Sequence, residues 1–167
     1  VIFELEAPIV TSPDAIKAFA EFVARFGEVR LRGLGDRVAD AERLIRVLAD
    51  GRMVGGAALK NPRDSYRQKV ATRAAAEIGR SDYPLELGWI AVDGAFRGRG
   101  LAKGLVGKAI EASEGRGLFA TTRADNTAML RVLEAAGFSL LGRPYASEER
   151  PGGRIVLLVR QAVSGPA

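Results

Sequence analysis

The stretch YPLELGWIAVDGAFRGRGLAKGLVGKAIE, residues 83–111, decides the fold. Its first ten residues read as a β-strand over 83–92, buried on at least one face. Its last part, continued to Ala112, places Leu101, Leu105, Val106, Ala109 and Ala112 at helical spacing, so a helix is expected over 101–114. Between them lie Gly94, Arg97, Gly98, Arg99 and Gly100. A strand, a glycine-rich turn and a helix start together expose backbone N–H groups at the positive end of a helix dipole, which favours phosphate oxygens. Gly98 and Gly100 would leave room that a Cβ would block, and Arg97, Arg99 and Lys103 would add charge. A solvated corner whose arginines face water fits the same residues, and the turn alone leaves both readings open.

Working outward, residues 2–10 read as a first strand with Pro8 near its end. Ser12 and Pro13 then open a helix, with Ile16, Phe19, Ala20, Val23 and Phe26 on its buried face and Gly27 as its stop. Residues 30–41 read as either a short helix or a loop. Residues 42–62 are ambiguous in their first half, but Asp50-Gly51 between two apolar runs favours a hairpin with strands near 43–49 and 52–60. Residues 65–77 contain good helix formers with a weak apolar stripe, so an exposed helix or a mobile segment is expected. After the central turn come a strand at 117–122 and a helix at 126–137 closed by Gly137. Met129, Val132, Leu133 and Ala136 are expected to face inward on that helix. A strand near 138–142, a Pro/Gly-rich loop and the strand RIVLLVR, 154–160, complete the pattern. The whole reads as an α/β (α+β) mixed sheet with packed helices, in one domain over 1–163 followed by a short tail, 164–167.

Composition narrows the chemistry. The chain has 167 residues, enough for one substantial core. It contains no cysteine, which removes disulfides, thiolate nucleophiles and thiolate metal sites. It contains no histidine, which removes an imidazole base. Carboxylates, tyrosines, serines and backbone groups must carry any catalysis, and no metal site is expected. The net charge of +5 favours anionic ligands without pointing to nucleic acid. RGRG lacks the interleaved aromatics and concentrated basic stripe of a nucleic-acid surface. No run of about 18 apolar residues suggests a membrane helix, and VIFELEAPIV does not read as a signal peptide. Two familiar phosphate signatures are missing: GxxxxGK followed by Ser or Thr, and GxGxxG with an acid about 20 residues on.

The segment Arg97-Gly98-Arg99-Gly100-Leu101-Ala102 fits a pattern of Arg or Gln, two residues, Gly, one residue, then Gly or Ala. About 30 residues later Asn126 precedes a helix that exits at Gly137-Phe138. With LELGWIAV immediately before, these two elements resemble the Gcn5-related N-acetyltransferase superfamily. The resemblance covers residues 83–142 strongly and is compatible with residues 2–160. It implies an acyl-CoA N-acyltransferase fold, with a central, mostly antiparallel sheet flanked by helices. It implies acetyl-CoA as acyl-donor substrate and a primary amine of a small molecule or protein as acceptor, joined by direct attack in a ternary complex. By position, the backbone from Arg97 through Gly98, Arg99, Gly100 and Leu101 to Ala102 would cradle the pyrophosphate. Trp89, Ile90, Ala91 and Val92 would line the pantetheine slot through main-chain groups. Asn126 would touch the cofactor arm, cap its helix, or both. A cytoplasmic protein is expected, with a homodimer left open and no nucleic-acid or membrane partner.

Transfer to an amine needs a base, because an amine near pKa ~10.4 arrives protonated at neutral pH. Glu86 is the first candidate, since a glutamate on this strand often does that work in the family; a solvated or ion-paired carboxylate is the plain alternative. Glu77 and Asp82 are weaker alternatives. Many family members place a tyrosine seven residues after the asparagine, where it reaches the departing sulfur. Here that position is Leu133, which keeps open a non-catalytic, acyl-CoA-binding member of the same fold. Tyr145 is the preferred substitute acid, with Tyr83 or Tyr66 available if residues 65–83 fold over the site.

Overall fold

Asp50 and Gly51 both take left-handed backbone, with φ of 52° and 74°. This is the type I′ geometry that matches the twist of paired strands, and the expected hairpin forms around it. The computed structural model describes residues 1–6 and 12–164. In chain order the elements are β1 (Ile2–Glu6), α1 (Pro13–Phe26), α2 (Leu34–Ala39), β2 (Arg43–Ala49), β3 (Arg52–Lys60), α3 (Asp64–Ala74) and β4 (Leu85–Val92). They continue with α4 (Leu101–Ala112), β5 (Leu118–Arg123), α5 (Thr127–Ala135), β6 (Ser139–Ala146) and β7 (Arg154–Arg160). The hydrogen-bonded strand order is β1-β2-β3-β4-β5-β7-β6. Pairs β1–β2, β2–β3, β5–β7 and β6–β7 are antiparallel, and β4–β5 is parallel. The mixed, mostly antiparallel sheet expected from the sequence is therefore present.

The chain divides into two compact units, the first comprising Val1–Asn61 and Leu87–Ala112. In it Ser12 Oγ accepts from the Ala15 N–H at 3.2 Å and Pro13 occupies the first turn, which starts α1 where the sequence placed it. Phe19, Phe22 and Val23 are buried on its inner face, and the Gly27 N–H closes the helix on the Val23 carbonyl. Residues 30–41, left open between helix and loop, contain the short α2, whose Leu34 and Val38 join the same core. Neighbouring strand residues face opposite ways. A Cβ on Gly55 would meet Leu105 of α4 and one on Gly56 would meet Phe19 of α1, so these helices cover opposite faces of β3.

The second unit comprises Pro62–Glu86 and Ser113–Ala167. Here the structure corrects the reading of 65–77 as an exposed helix or mobile segment. In α3, Arg67, Val70 and Ala74 are buried, and Val70 and Ala74 pack with Ile78, Phe119, Leu157 and Val159. The apolar stripe looked weak because an arginine occupies one of its positions. The Arg67 guanidinium lies over the Phe119 ring, 5.1 Å from its centroid, so a charged side chain serves as the cover of a core aromatic. On α5 only Leu133 is fully buried, while Met129, Val132 and Ala136 are half-buried. The strand expected near 138–142 continues as β6 to Ala146 through a bulge. The first strand's expected continuation through Pro8 lies outside the described residues, as does the tail beyond Ser164.

Candidate active site

The turn after β4 belongs to the first unit. Asp93 accepts from the Ala95 N–H at 2.9 Å and starts a single 3-10 turn, Gly94–Phe96. Gly98 and Gly100 then adopt φ of +75° and +77°, and a Cβ on either would project into open space. Both conditions favour glycine: the left-handed backbone, and a clear approach to the main chain. The first backbone bond of α4 runs from the Gly104 N–H to the Gly100 carbonyl, and among the described residues the N–H groups of Leu101, Ala102 and Lys103 have no backbone acceptor. Three donors at the head of a helix thus stand beside two glycines, which is an anion-binding arrangement.

The two arginines are not equivalent. Arg99 lies over the Phe96 ring at 4.7 Å, with Arg52 near the same ring at 6.0 Å. Arg97 is exposed, and among the described residues its side chain and that of Lys103 have no partner. Leu101 is buried and anchors α4, whereas Ala102 is half-buried. On β4, Trp89 and Ala91 are buried and Ile90 and Val92 are half-buried. Trp89 has φ of +52°, an unusual backbone for an aromatic residue inside a strand. Its ring meets Phe19 edge-on and lies 4.7 Å from Lys60 Nζ.

The two catalytic candidates belong to the second unit, and strand parity explains their placing. The β4–β5 ladder consists of Leu85–Leu118 and Glu86–Phe119. Glu86 therefore shares the face of Phe119, which is the face covered by α3. It is 3% exposed. From α3, the Tyr66 hydroxyl donates to Glu86 Oε1 at 3.3 Å. Tyr145 reaches the same face through the bulge in β6. Between paired positions β6 advances from Leu141 to Tyr145 while β7 advances only from Leu157 to Ile155. An even ladder would set Arg143 opposite Ile155; the extra residues set Tyr145 there instead.

Burial and the Glu86 charge raise the Tyr66 hydroxyl well above its usual range; the neighbouring Tyr145 adds to this and a hydrogen bond with Thr121 opposes it. Tyr145 is pushed up to about 12, first by burial, then by the Glu86 charge, with Arg73 acting the other way. Both hydroxyls stay protonated at neutral pH. A raised folded-state value contributes stability that is complete below the unfolded tyrosine pKa of ~10 and is lost as pH rises through about 12. Tyr145→Phe should therefore flatten the decline of the urea midpoint between about pH 10 and pH 12; a decline as steep as that of the parent would refute the coupling.

Arg67 fixes this part of α3. It is 6% exposed, and it donates through Nη1 to the Ile78 and Tyr83 carbonyls at 2.9 and 2.6 Å and through Nη2 to the Pro84 carbonyl at 3.2 Å. Sequence reasoning missed Arg67 and Thr121 and named Tyr66 only as an alternative. The available signal was the spacing of residues 67, 70 and 74 on one helical face, with Tyr66 beside it. Leu133, at the family's tyrosine position, is 1% exposed and serves the core. Asn126 is the N-cap of α5, its Oδ1 accepting from the Met129 N–H at 3.2 Å, as expected for a cap. Glu77 and Asp82 are exposed. Among the described residues no cluster of three metal-ligating side chains occurs, and no helix is long and apolar enough to cross a membrane.

The chain belongs to the acetyltransferase (GNAT) family, whose model matches residues 4–138. A search of curated proteins gives no match. Among solved structures it is similar to an acyl-CoA N-acyltransferase from Pseudomonas aeruginosa, at 14% identity over 95% of this chain and 98% of that one, with a TM-score of 0.66. It is similar to the ribosomal-protein-S18-alanine N-acetyltransferase from Escherichia coli, at 14% identity over 98% and 97%, with a TM-score of 0.68. The Salmonella typhimurium protein yncA, solved with its cofactor acetyl-CoA, matches at 17% identity over 100% and 98%, with a TM-score of 0.66. These likenesses show the acyl-CoA N-acyltransferase fold that the sequence motifs implied.

Proposed function

We propose that this protein transfers an acetyl group from acetyl-CoA to a primary amine by direct attack. The observation that carries the reading is the turn before α4, where two left-handed glycines with open space beside them adjoin three helix-start N–H groups that have no backbone acceptor among the described residues. That shape fits a pyrophosphate. In this reading Arg97 adds charge and Arg99 braces the turn against Phe96. In this reading main-chain groups of Trp89, Ile90, Ala91 and Val92 on β4 meet the amide-bearing arm of the donor. The acetyl-CoA bound to yncA supports the choice of donor.

Acetyl-CoA supplies an activated acyl group and a sulfur leaving group. Glu86 takes the proton of the attacking amine, directly or through a water. Tyr145 offers its hydroxyl to the departing sulfur. With a pKa of about 12 it is a weaker acid than a thiol near ~8.5, so it stabilises the sulfur by a hydrogen bond while solvent supplies the proton.

The test is acetyl-CoA turnover across polyamines, amino acids, aminoglycosides and peptides, with products identified by mass spectrometry. Tight acetyl-CoA binding with no product across the panel would favour a non-catalytic acyl-CoA binder, a reading motivated by Leu133. Gly100→Val should weaken acetyl-CoA binding about tenfold in a calorimetric titration, through backbone strain and a blocked approach. An unchanged dissociation constant would exclude the turn as the cradle.

A further inference from the structure

Within the second unit, α3 lies outside the two sequence motifs at 97–102 and 126–138, yet it holds the only tyrosine hydroxyl seen to donate to Glu86 among the described residues. We infer that Tyr66 is a positioning residue that fixes the Glu86 carboxylate for proton abstraction, and that α3 is the element built to hold it there. This rests on the proposed role of Glu86 as base.

Several observations converge. The helix that carries Tyr66 is fastened at two places along its length. The next residue, Arg67, ties α3 to the Ile78, Tyr83 and Pro84 carbonyls in the segment leading into β4, the strand that carries Glu86. The phenol and the carboxylate are therefore fastened to the same short stretch of chain. Further along α3, Lys69 Nζ and Arg73 Nη2 hold the two oxygens of Glu148 at 2.7 and 2.8 Å, and Arg73 Nη1 also donates to the Ala146 carbonyl at 3.3 Å. These contacts fasten the end of β6, next to Tyr145, to the same helix. The Thr121 hydroxyl shares Tyr66 from β5. A donor held this firmly limits the rotation of a buried carboxylate and so sets its orientation. That is how a neighbouring hydroxyl assists a base without itself moving a proton.

The experiment compares the parent, Tyr66→Phe, Glu86→Gln and the double variant, using the first amine of the panel that the parent acetylates, well below all melting midpoints. Tyr66→Phe keeps the ring and its packing and removes only the hydroxyl. Its kcat should fall about tenfold, the size expected for one hydrogen bond to a charged group, while KM for acetyl-CoA stays within about twofold. The double variant should be no slower than Glu86→Gln alone, because positioning has no value once the base is gone. An unchanged kcat in Tyr66→Phe, or losses that multiply in the double variant, would overturn the positioning role and leave Glu86 as base untouched. An unimpaired Glu86→Gln, or no turnover by the parent across the panel, would instead remove the base assignment and this inference with it.

Discussion

Glu86→Gln is expected to lower kcat by about 10²-fold or more, the range that a positioned general base contributes. The substitution keeps the shape of a side chain that is 3% exposed and keeps an oxygen for the Tyr66 hydroxyl. It removes only the capacity to accept a proton at neutral pH. The pH profile carries a second signature. Without a base the protein must wait for amine that is already neutral, so the residual rate should climb about tenfold per pH unit until the amine's own pKa near ~10.4. KM for acetyl-CoA should stay close to that of the parent, since the proposed pyrophosphate cradle lies at Arg97–Ala102. A variant with the parent's kcat and the parent's pH profile would remove Glu86 from the mechanism.

Gly142→Ala is expected to cost about 3 kcal/mol of folding stability, at the upper end for overpacking. Gly142 has φ of +71°, and a Cβ there would stand 2.1 Å from the Ala74 carbonyl oxygen and 3.0 Å from its carbon. The obstacle is the backbone at the end of α3, which cannot rotate away as a side-chain tip can. Relief would require α3 or the β6 bulge to shift, and these two elements carry Tyr66 and Tyr145. Urea denaturation should show a lower midpoint with an unchanged slope. Gly107→Ala is the control: it lies on α4 with no heavy atom near the added Cβ, so its midpoint should hold or rise. A Gly142→Ala midpoint equal to the parent's would mean that the close approach is not a packing constraint.

Much of the fold was legible in the sequence because its signals are local. Asp50-Gly51 determined a hairpin through its own backbone preferences, and Ser12-Pro13 determined a helix start through one side-chain oxygen and one fixed φ. The turn from Arg97 to Ala102 was readable for the same reason: strand end, left-handed glycines and helix head are contiguous residues. The polar side of the site was less legible. A search for apolar periodicity undervalued α3, because Arg67 occupies a buried position and covers Phe119 with its guanidinium.

The sequence by itself determined the chemistry on offer: carboxylates and phenols with no imidazole or thiol, and a glycine turn shaped for an anion at a helix head. Only the tertiary structure decided which phenol meets Glu86. That choice depends on the two-pair β4–β5 ladder that puts Glu86 on the α3 face, on the extra residues in β6 that put Tyr145 rather than Arg143 opposite Ile155, and on the anchoring of α3 through Arg67. Each is a pairing between residues distant in the chain. Register and helix docking are fixed by the burial and hydrogen bonding of partners that no local preference specifies.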